Sequence, residues 1–514
     1  MPSTTENNKR IAKNTLLLYF RMLFMMAVSL YTSRVVLNTL GVEDFGIYNV
    51  VGGIVAMFGF INSAMATATQ RYLTFELGRG DRQRLNTVFT TSIIIHTLIS
   101  LLIVISAETV GLWFFYEKMT ISAPRMDAAL WVYQLSILSA VVMIMSVPYN
   151  ATIIAHEKMS AFAYISVLEV VLKLAIVYML VIGNFDKLKL YAVLMFLIQL
   201  SIRFAYGSYC SRHFEESKYR RFLWDAKLFR EMLAFSGWNL LGSFAYATFT
   251  HGLNILLNMF FGPVVNAARG IAVQVQGAVT QFSQNFQMAL NPQITKSYAS
   301  GDWAYMHSLL YRSSKFTFFL LFFLSLPVML ETNTILRVWL KIVPDYTSVF
   351  IRLMLCATII EAVANPLMVS AAATGKVKVY QIVVGGILLS ILPISYVVLK
   401  MGGNPSSVFV VHVAICIVAF TVRLFIIRPM IGLILFDYVK KVIFPCLTVG
   451  ILSATIPLGI QYALSGASTL VRAMLVCLTC VVSVPACAFY LGLTASERQF
   501  ITSKLSALRS KIHK

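Results

Sequence analysis

Residues Asn86–Phe115 read NTVFTTSIIIHTLISLLIVISAETVGLWFF, a run in which Glu108 is the only charged side chain. A membrane span needs about 20 mostly apolar residues at about 1.5 Å of rise each, and this stretch exceeds that length. Working outward from it, blocks of the same kind recur between Asn14 and Leu493, separated by short loops. In the first half they fall near Asn14–Leu40, Gly46–Tyr72, Asn86–Phe115, Asp127–Ile154, Ser160–Ile182 and Leu190–Cys210. Six more lie between Met232 and Met430, and two follow at Val442–Leu464 and Ser468–Leu493. The expected fold class is therefore all-α and integral to a membrane, with about 14 transmembrane helices. With no appended globule, such a chain has little room for any task except moving something across a bilayer.

Composition agrees. The chain is 58% hydrophobic and 12% charged, with a mean hydropathy of +0.77. Soluble chains carry roughly 25% charged residues, so lipid rather than water must cover most of this surface. The net charge of +21 is dispersed among the loops instead of forming one patch, which argues against a nucleic-acid partner. Of the seven cysteines, Cys477 and Cys480 form a CxxC on an apolar block without acidic or histidine neighbours. They read as small apolar fillers. His96, His251 and His412 lie on separate spans with no ligand spacing, so neither a metal nor a cofactor is expected. No phosphate-cradling GxxxxGK[ST] motif is present to make ATP the direct motor, and short outer loops without catalytic acids argue against an enzyme.

Loops on the side of the N-terminus carry about 25 Lys and Arg against about 7 on the other side, which sets both termini in the cytoplasm. The expected organisation is a six-helix lobe at 1–210, a basic linker at 211–231, a second six-helix lobe at 232–430, two further helices at 431–493 and a basic tail at 494–514. A faint internal repeat supports two lobes. A shift of 221 sets Gly41 on Gly262, Thr74 on Thr295, Gly80 on Gly301 and Asp81 on Asp302. A shift of 218 sets Pro148 on Pro366, Ala155 on Ala373, Lys158 on Lys376 and Tyr178 on Tyr396. Parallel repeats of this kind place a substrate cavity between their lobes.

Charge inside a span is costly and asks for a reason. Arg21 and Arg34 lie about 20 Å apart along the first span. Arg203 is on the sixth and Arg269 on the eighth. Each either snorkels to the headgroups or lines a cavity. Glu169 and Lys173 share a helix face at i, i+4, as a structural ion pair or a pair that switches during transport. Glu361 has no cation at helical spacing in its own span and is either a proton carrier or a neutral, hydrogen-bonded acid. The eighth span is the most polar: Gln274, Gln281, Gln284 and Asn285 fall mainly on one side. With Asn239 and Asn254 on the seventh, they are more amides than helix–helix glue requires. A wet lining suited to sugar hydroxyls is the expected reading.

The segment Leu40-Gly41-Val42-Glu43-Asp44-Phe45-Gly46-Ile47-Tyr48-Asn49, preceded by Thr32-Ser33-Arg34, resembles the first outer loop of bacterial polysaccharide flippases. Ala155-His156-Glu157-Lys158, followed by Tyr164, Glu169 and Lys173, resembles the connection between their fourth and fifth helices. These O-antigen and capsule flippases belong to the multidrug, oligosaccharidyl-lipid and polysaccharide exporter (MOP) superfamily, whose fold is MATE-like. The resemblance extends over the whole chain. It implies a V-shaped pair of lobes in the bacterial inner membrane, working by alternating access. The implied cargo is an undecaprenyl-pyrophosphate-linked oligosaccharide, flipped from the cytoplasmic to the periplasmic leaflet. Implied partners are membrane lipid, H⁺ or Na⁺ as coupling ion, and polysaccharide polymerase or assembly proteins. Arg21, Arg34 and Arg269 match by position the arginines that hold pyrophosphate in related flippases, while the second span offers only Arg71 at its inner end. Drug exporters of the superfamily often carry an acid on the first helix, and this chain has none there. A cation-coupled exporter of drugs or small metabolites on the same scaffold is the alternative.

Overall fold

The computed structural model describes residues 4–56, 59–118, 121–180, 186–218, 223–340, 343–464, 468–499 and 502. Among them every regular element is helical. Hydrocarbon dictates this, because a backbone N–H that meets no water must find its acceptor within its own segment. In chain order the helices are α1 (Thr4–Ala56), α2 (Gly59–Arg79), α3 (Arg82–Ser106), α4 (Leu112–Lys118), α5 (Met126–Ala155), α6 (Met159–Met179) and α7 (Lys187–His213). Next come α8 (Ala226–Phe261), α9 (Pro263–Ala299), α10 (Trp303–Leu330), α11 (Thr332–Leu340) and α12 (Thr347–Ala373). The last are α13 (Lys378–Leu389), α14 (Ile391–Lys400), α15 (Ser407–Ile431), α16 (Leu435–Tyr438), α17 (Phe444–Ala463) and α18 (Thr469–Cys487). Among the described residues twelve helical stretches are long and apolar enough to cross a membrane. The second and eighth expected spans, the end of α1 with α2 and the amide-rich α9, bring the count to fourteen. The chain is a multi-pass membrane protein.

α1 is two helices joined at a bend. At Gly41 φ is +82°, a value that a Cβ penalises, and the helix direction changes there. The residue 221 positions on, Gly262 with φ +77°, separates α8 from α9. Gly80 and Gly301, at +75° and +76°, close α2 and α9 at the same offset. A shift of 218 likewise relates Glu157 (φ +59°) to Gly375 (+79°), and Pro148 inside α5 to Pro366 inside α12. The repeat that survives in only a few identities is written plainly in the backbone.

Tertiary contacts divide the chain into two compact units. One comprises Met1–Phe244, Met288–Asp302 and Gly375–Gln381, and the other Ala245–Gln287, Trp303–Thr374 and Ile382–Lys514. In the first, Val51, Phe115, Val132, Tyr133 and Leu188 form a closed apolar cluster. Tyr133 donates its hydroxyl to the Ala107 carbonyl at 2.7 Å. That carbonyl belongs to a widened π-helical turn, Ala107–Gly111, so a bulky ring can be buried without stranding its polar end. In the second unit Tyr438 plays the same part, its hydroxyl against Ser314 Oγ at 3.1 Å. The surface is apolar where lipid would lie: Leu98, Leu101, Leu102 and Ile105 stand exposed on α3 as one i, i+3, i+4, i+7 stripe.

The segment around Asp44 also finds its anchor. Arg125 donates from Nε to Asp44 Oδ1 at 2.7 Å and from Nη1 to Asp186 Oδ2 at 2.8 Å. One guanidinium thus fastens the part of α1 just after the Gly41 bend to the start of α7.

Candidate functional site

α9 carries a run of side-chain amides, and its polar face borders a cavity of about 480 Å³ in the second unit. Gly262 starts the helix sharply and Pro263 occupies its first position, where a missing N–H costs nothing. The wall is built by Arg269, Gln276, Thr280, Gln281, Gln284 and Gln287 of α9, Tyr246 and Thr250 of α8, Thr358, Glu361 and Asn365 of α12, and His412 of α15. Arg269 is only 4% exposed. Its Nη2 donates to the Thr250 carbonyl at 2.7 Å and its Nη1 to the Asn254 side-chain oxygen. Its Nε is buried with no partner. Two of the three guanidinium faces are thereby fixed, and a donor is left over.

Other wall amides are held in place by α12. Gln276 Nε2 donates to Thr358 Oγ1 at 2.8 Å, and Gln287 Nε2 reaches the Ala362 carbonyl at 3.5 Å. The Asn365 side-chain oxygen is buried without a partner. Glu361, a wall residue, accepts from Cys416 Sγ at 3.6 Å. The result is a hollow with one fixed positive group, one carboxylate and several spare donors and acceptors.

The structure sorts the expected site residues unevenly. Arg269, Gln281, Gln284 and Glu361 line the cavity. Asn254 acts one step back, as the acceptor that orients Arg269. Two others lie off this wall. Gln274 is exposed and off the wall, and Asn285 turns its Nδ2 back to the Gln281 carbonyl at 2.8 Å. Gln276 and Gln287 take their places. Each residue advances the helix by about 100°, so a face read one step out exchanges lining residues for outward ones. α9 has amides on more than one side, and spacing alone does not choose among them.

The remaining expected residues belong to the first unit. Asn239 accepts from Gln381 Nε2 at 2.8 Å and is an interhelical tie. Arg21 rests over the Phe162 ring at 4.5 Å, with an electrostatic partner in Glu169 and Nη1 buried without a hydrogen bond. Glu169 also holds Lys173 at 2.6 Å, so the expected pair is joined by Arg21. Arg203 stacks on Tyr149, 3.9 Å from the ring centre. Arg71 lies over Tyr72 and Phe75 at 4.5 and 4.6 Å. The Arg34 side chain lies outside the described residues.

A further cluster escaped the sequence reading. The Glu157 carboxylate, fully buried, meets Arg10 Nε at 2.8 Å and Lys296 Nζ at 2.6 Å. Gln293 Nε2 adds a bond at 2.5 Å. Arg10 stands 147 positions before Glu157, and Gln293 and Lys296 stand 136 and 139 positions after it, so no local spacing announces them.

Comparisons with known proteins agree with this architecture. The MatE family model matches residues 18–179. No curated protein sequence matches the chain significantly. A point mutant of a MATE transporter superposes with a TM-score of 0.69 at 13% identity, over 82% of this chain and 97% of that one. An outward-facing multidrug resistance MATE transporter of the MOP superfamily gives 0.66 at 14%, over 83% and 96%. A MOP superfamily transporter from Pyrococcus furiosus, for which reverse polarity of the binding pocket suggests a different function, gives 0.64 at 15%, over 82% and 96%. The chain therefore carries a MatE match over residues 18–179 and has the fold of the MATE transporters of the MOP superfamily.

Proposed function

We propose that the chain is a flippase for an undecaprenyl-pyrophosphate-linked oligosaccharide, working by alternating access in a bacterial inner membrane and serving O-antigen or capsule assembly. The observation that carries this reading is Arg269, buried at the wall of an amide-rich cavity with its Nε unpartnered. A diphosphate bears about two negative charges and would cost many kcal/mol to pass through hydrocarbon bare. A guanidinium held by Asn254 and Thr250 offers it a charge-assisted donor without having to be reoriented. Gln281 and Gln284 replace water around the first sugar, and the undecaprenyl chain stays in lipid. Arg21 and Arg203 supply further positive charge in the first unit. Glu361, Glu169 and Lys173 are the groups proposed to couple the cycle to H⁺ or Na⁺.

A second reading has an observation of its own. Glu361 faces the same cavity as Arg269, and a carboxylate suits a cationic drug. One experiment separates the two: equilibrium binding to the purified protein of a lipid-linked oligosaccharide and of a lipophilic cation. The flippase reading expects the pyrophosphate lipid to bind and Arg269→Ala to weaken it by at least about tenfold, with Arg269→Lys intermediate. Tight cation binding that depends on Glu361, with no binding of the pyrophosphate lipid, would establish the exporter instead.

A further inference from the structure

The geometry points to a transition-metal site in the second unit, formed by Glu361 of α12 with His412 and Cys416 of α15, for a borderline-soft divalent ion of the Zn²⁺ class. One ligand atom from each residue lies within 4.8 Å of the other two. Cys416 Sγ and Glu361 Oε1 are 3.6 Å apart. Ligands at Zn–S and Zn–O distances around a tetrahedral ion stand about 3.3–3.6 Å from one another, so this pair already has the required separation. His412 and Cys416 are four residues apart on one helix and project from the same face. His412 is 6% exposed, and its Nε2 is buried with no hydrogen-bond partner. Cys416 is 2% exposed. A buried imidazole with an unpartnered nitrogen, on a ring whose ligand atom lies within 4.8 Å of a thiol and a carboxylate, has the makings of a ligand set.

Charge balance favours a divalent ion. Binding replaces the Cys416 S–H proton, which leaves to water, and one thiolate, one carboxylate and a neutral imidazole then neutralise a 2+ ion. In a low-dielectric bundle that neutrality matters more than in water. Arg269 also borders the cavity and keeps its positive charge, its Nη groups directed at Asn254 and the Thr250 carbonyl, so it favours an anion beside the ion. Na⁺ and K⁺ prefer oxygen cages and have no use for sulfur, so the thiol selects against them. Three protein ligands leave a fourth position, which opens to the cavity that Glu361 and His412 line, for water or an anion. The bound ion would clasp α12 to α15. This inference does not rest on the cargo assigned above.

The test is a Co²⁺ titration of the purified full chain in detergent, followed by near-ultraviolet absorption. Thiolate-to-cobalt charge transfer should grow in, saturate at one equivalent, yield to Zn²⁺ and resist excess Na⁺. Cys416→Ser should abolish the band, and His412→Ala or His412→Gln should weaken binding by at least about tenfold. The double variant Cys477→Ser/Cys480→Ser should keep the band, which excludes the other thiol pair. Absence of one-equivalent thiolate binding in the unaltered protein overturns the proposal without reference to any variant. So does a band that survives Cys416→Ser or disappears with Cys477 and Cys480.

Discussion

Glu157 combines two demands at one residue. Its backbone sits at φ +59°, and its carboxylate is enclosed by Arg10, Lys296 and Gln293. Glu157→Ala removes the anion and leaves two cations facing each other, a loss of about 3 kcal/mol for a buried pair. Glu157→Gly removes the same charge but relieves the left-handed backbone, by about 1 kcal/mol. Thermal unfolding in detergent should therefore rank the unaltered protein first, Glu157→Gly second and Glu157→Ala last. Glu497 gives a pH-dependent case outside the spans. Burial pushes its carboxyl up, but the Thr494 amide and the Lys315 ammonium together outweigh burial and hold it below its ordinary value of 4.5. A depressed carboxyl contributes stability above the unfolded-state value and loses it as pH falls through the folded one. Acidification below about pH 4.5 should thus loosen the contact of Glu497 with Lys315 and Arg312. Hydrogen exchange around Thr494 would report it, and Glu497→Gln should flatten the dependence. At this scale the sequence was legible where a charge stood alone in an apolar run, as with Arg269 and Glu361. It was silent where a site needs residues from distant helices, as at Glu157, or where i, i+4 partners were read singly, as with His412 and Cys416.

At the scale of elements, the landmarks of the repeat were readable because Gly and Pro act locally. Gly41, Gly262, Gly80 and Gly301 all adopt positive φ, and no tertiary knowledge is needed to suspect it. Two glycines should respond differently to a methyl group. A Cβ on Gly111 would run into the Tyr133 hydroxyl, whereas one on Gly262 meets open space and only backbone strain. Gly262→Ala should cost about 1–2 kcal/mol, and Gly111→Ala about 1–3 kcal/mol with loss of the Tyr133–Ala107 bond. Thermal unfolding measures both costs, and hydrogen exchange in the π-helical turn separates them, since Gly111→Ala alone should expose it. The face of α9 was the harder problem. The sequence places Gln274 and Asn285 on the wet side, and the fold turns Gln276 and Gln287 there instead. Helical spacing fixes which residues share a face but not which face meets the hollow; the packing of α8, α12 and α15 decides that. Gln284→Ala should accordingly weaken binding of the polar headgroup several-fold, and Gln274→Ala should leave it unchanged, both by equilibrium titration.

At the scale of the whole molecule, composition and span length sufficed for the class, an all-α membrane protein of about 14 spans, and the family resemblance supplied the MATE-like fold. Fourteen apolar blocks with short loops leave few architectures, and the match to MATE transporters agrees at 13–15% identity. Cargo is a different matter, because a scaffold shared so widely does not name what passes through it. The feature of this chain that bears on cargo is a cavity in which a buried arginine, held by neutral oxygens, retains a free donor among amides. The most direct measurement is flipping in proteoliposomes. A fluorescent undecaprenyl-pyrophosphate oligosaccharide is placed in both leaflets, and the fraction that an added impermeant quencher reaches is followed over time. The unaltered protein should render nearly all of the lipid quenchable, and Arg269→Ala should hold the accessible share near the starting half. Equal flipping by Arg269→Ala, or none by the unaltered protein while a lipophilic cation is transported, would contradict the account.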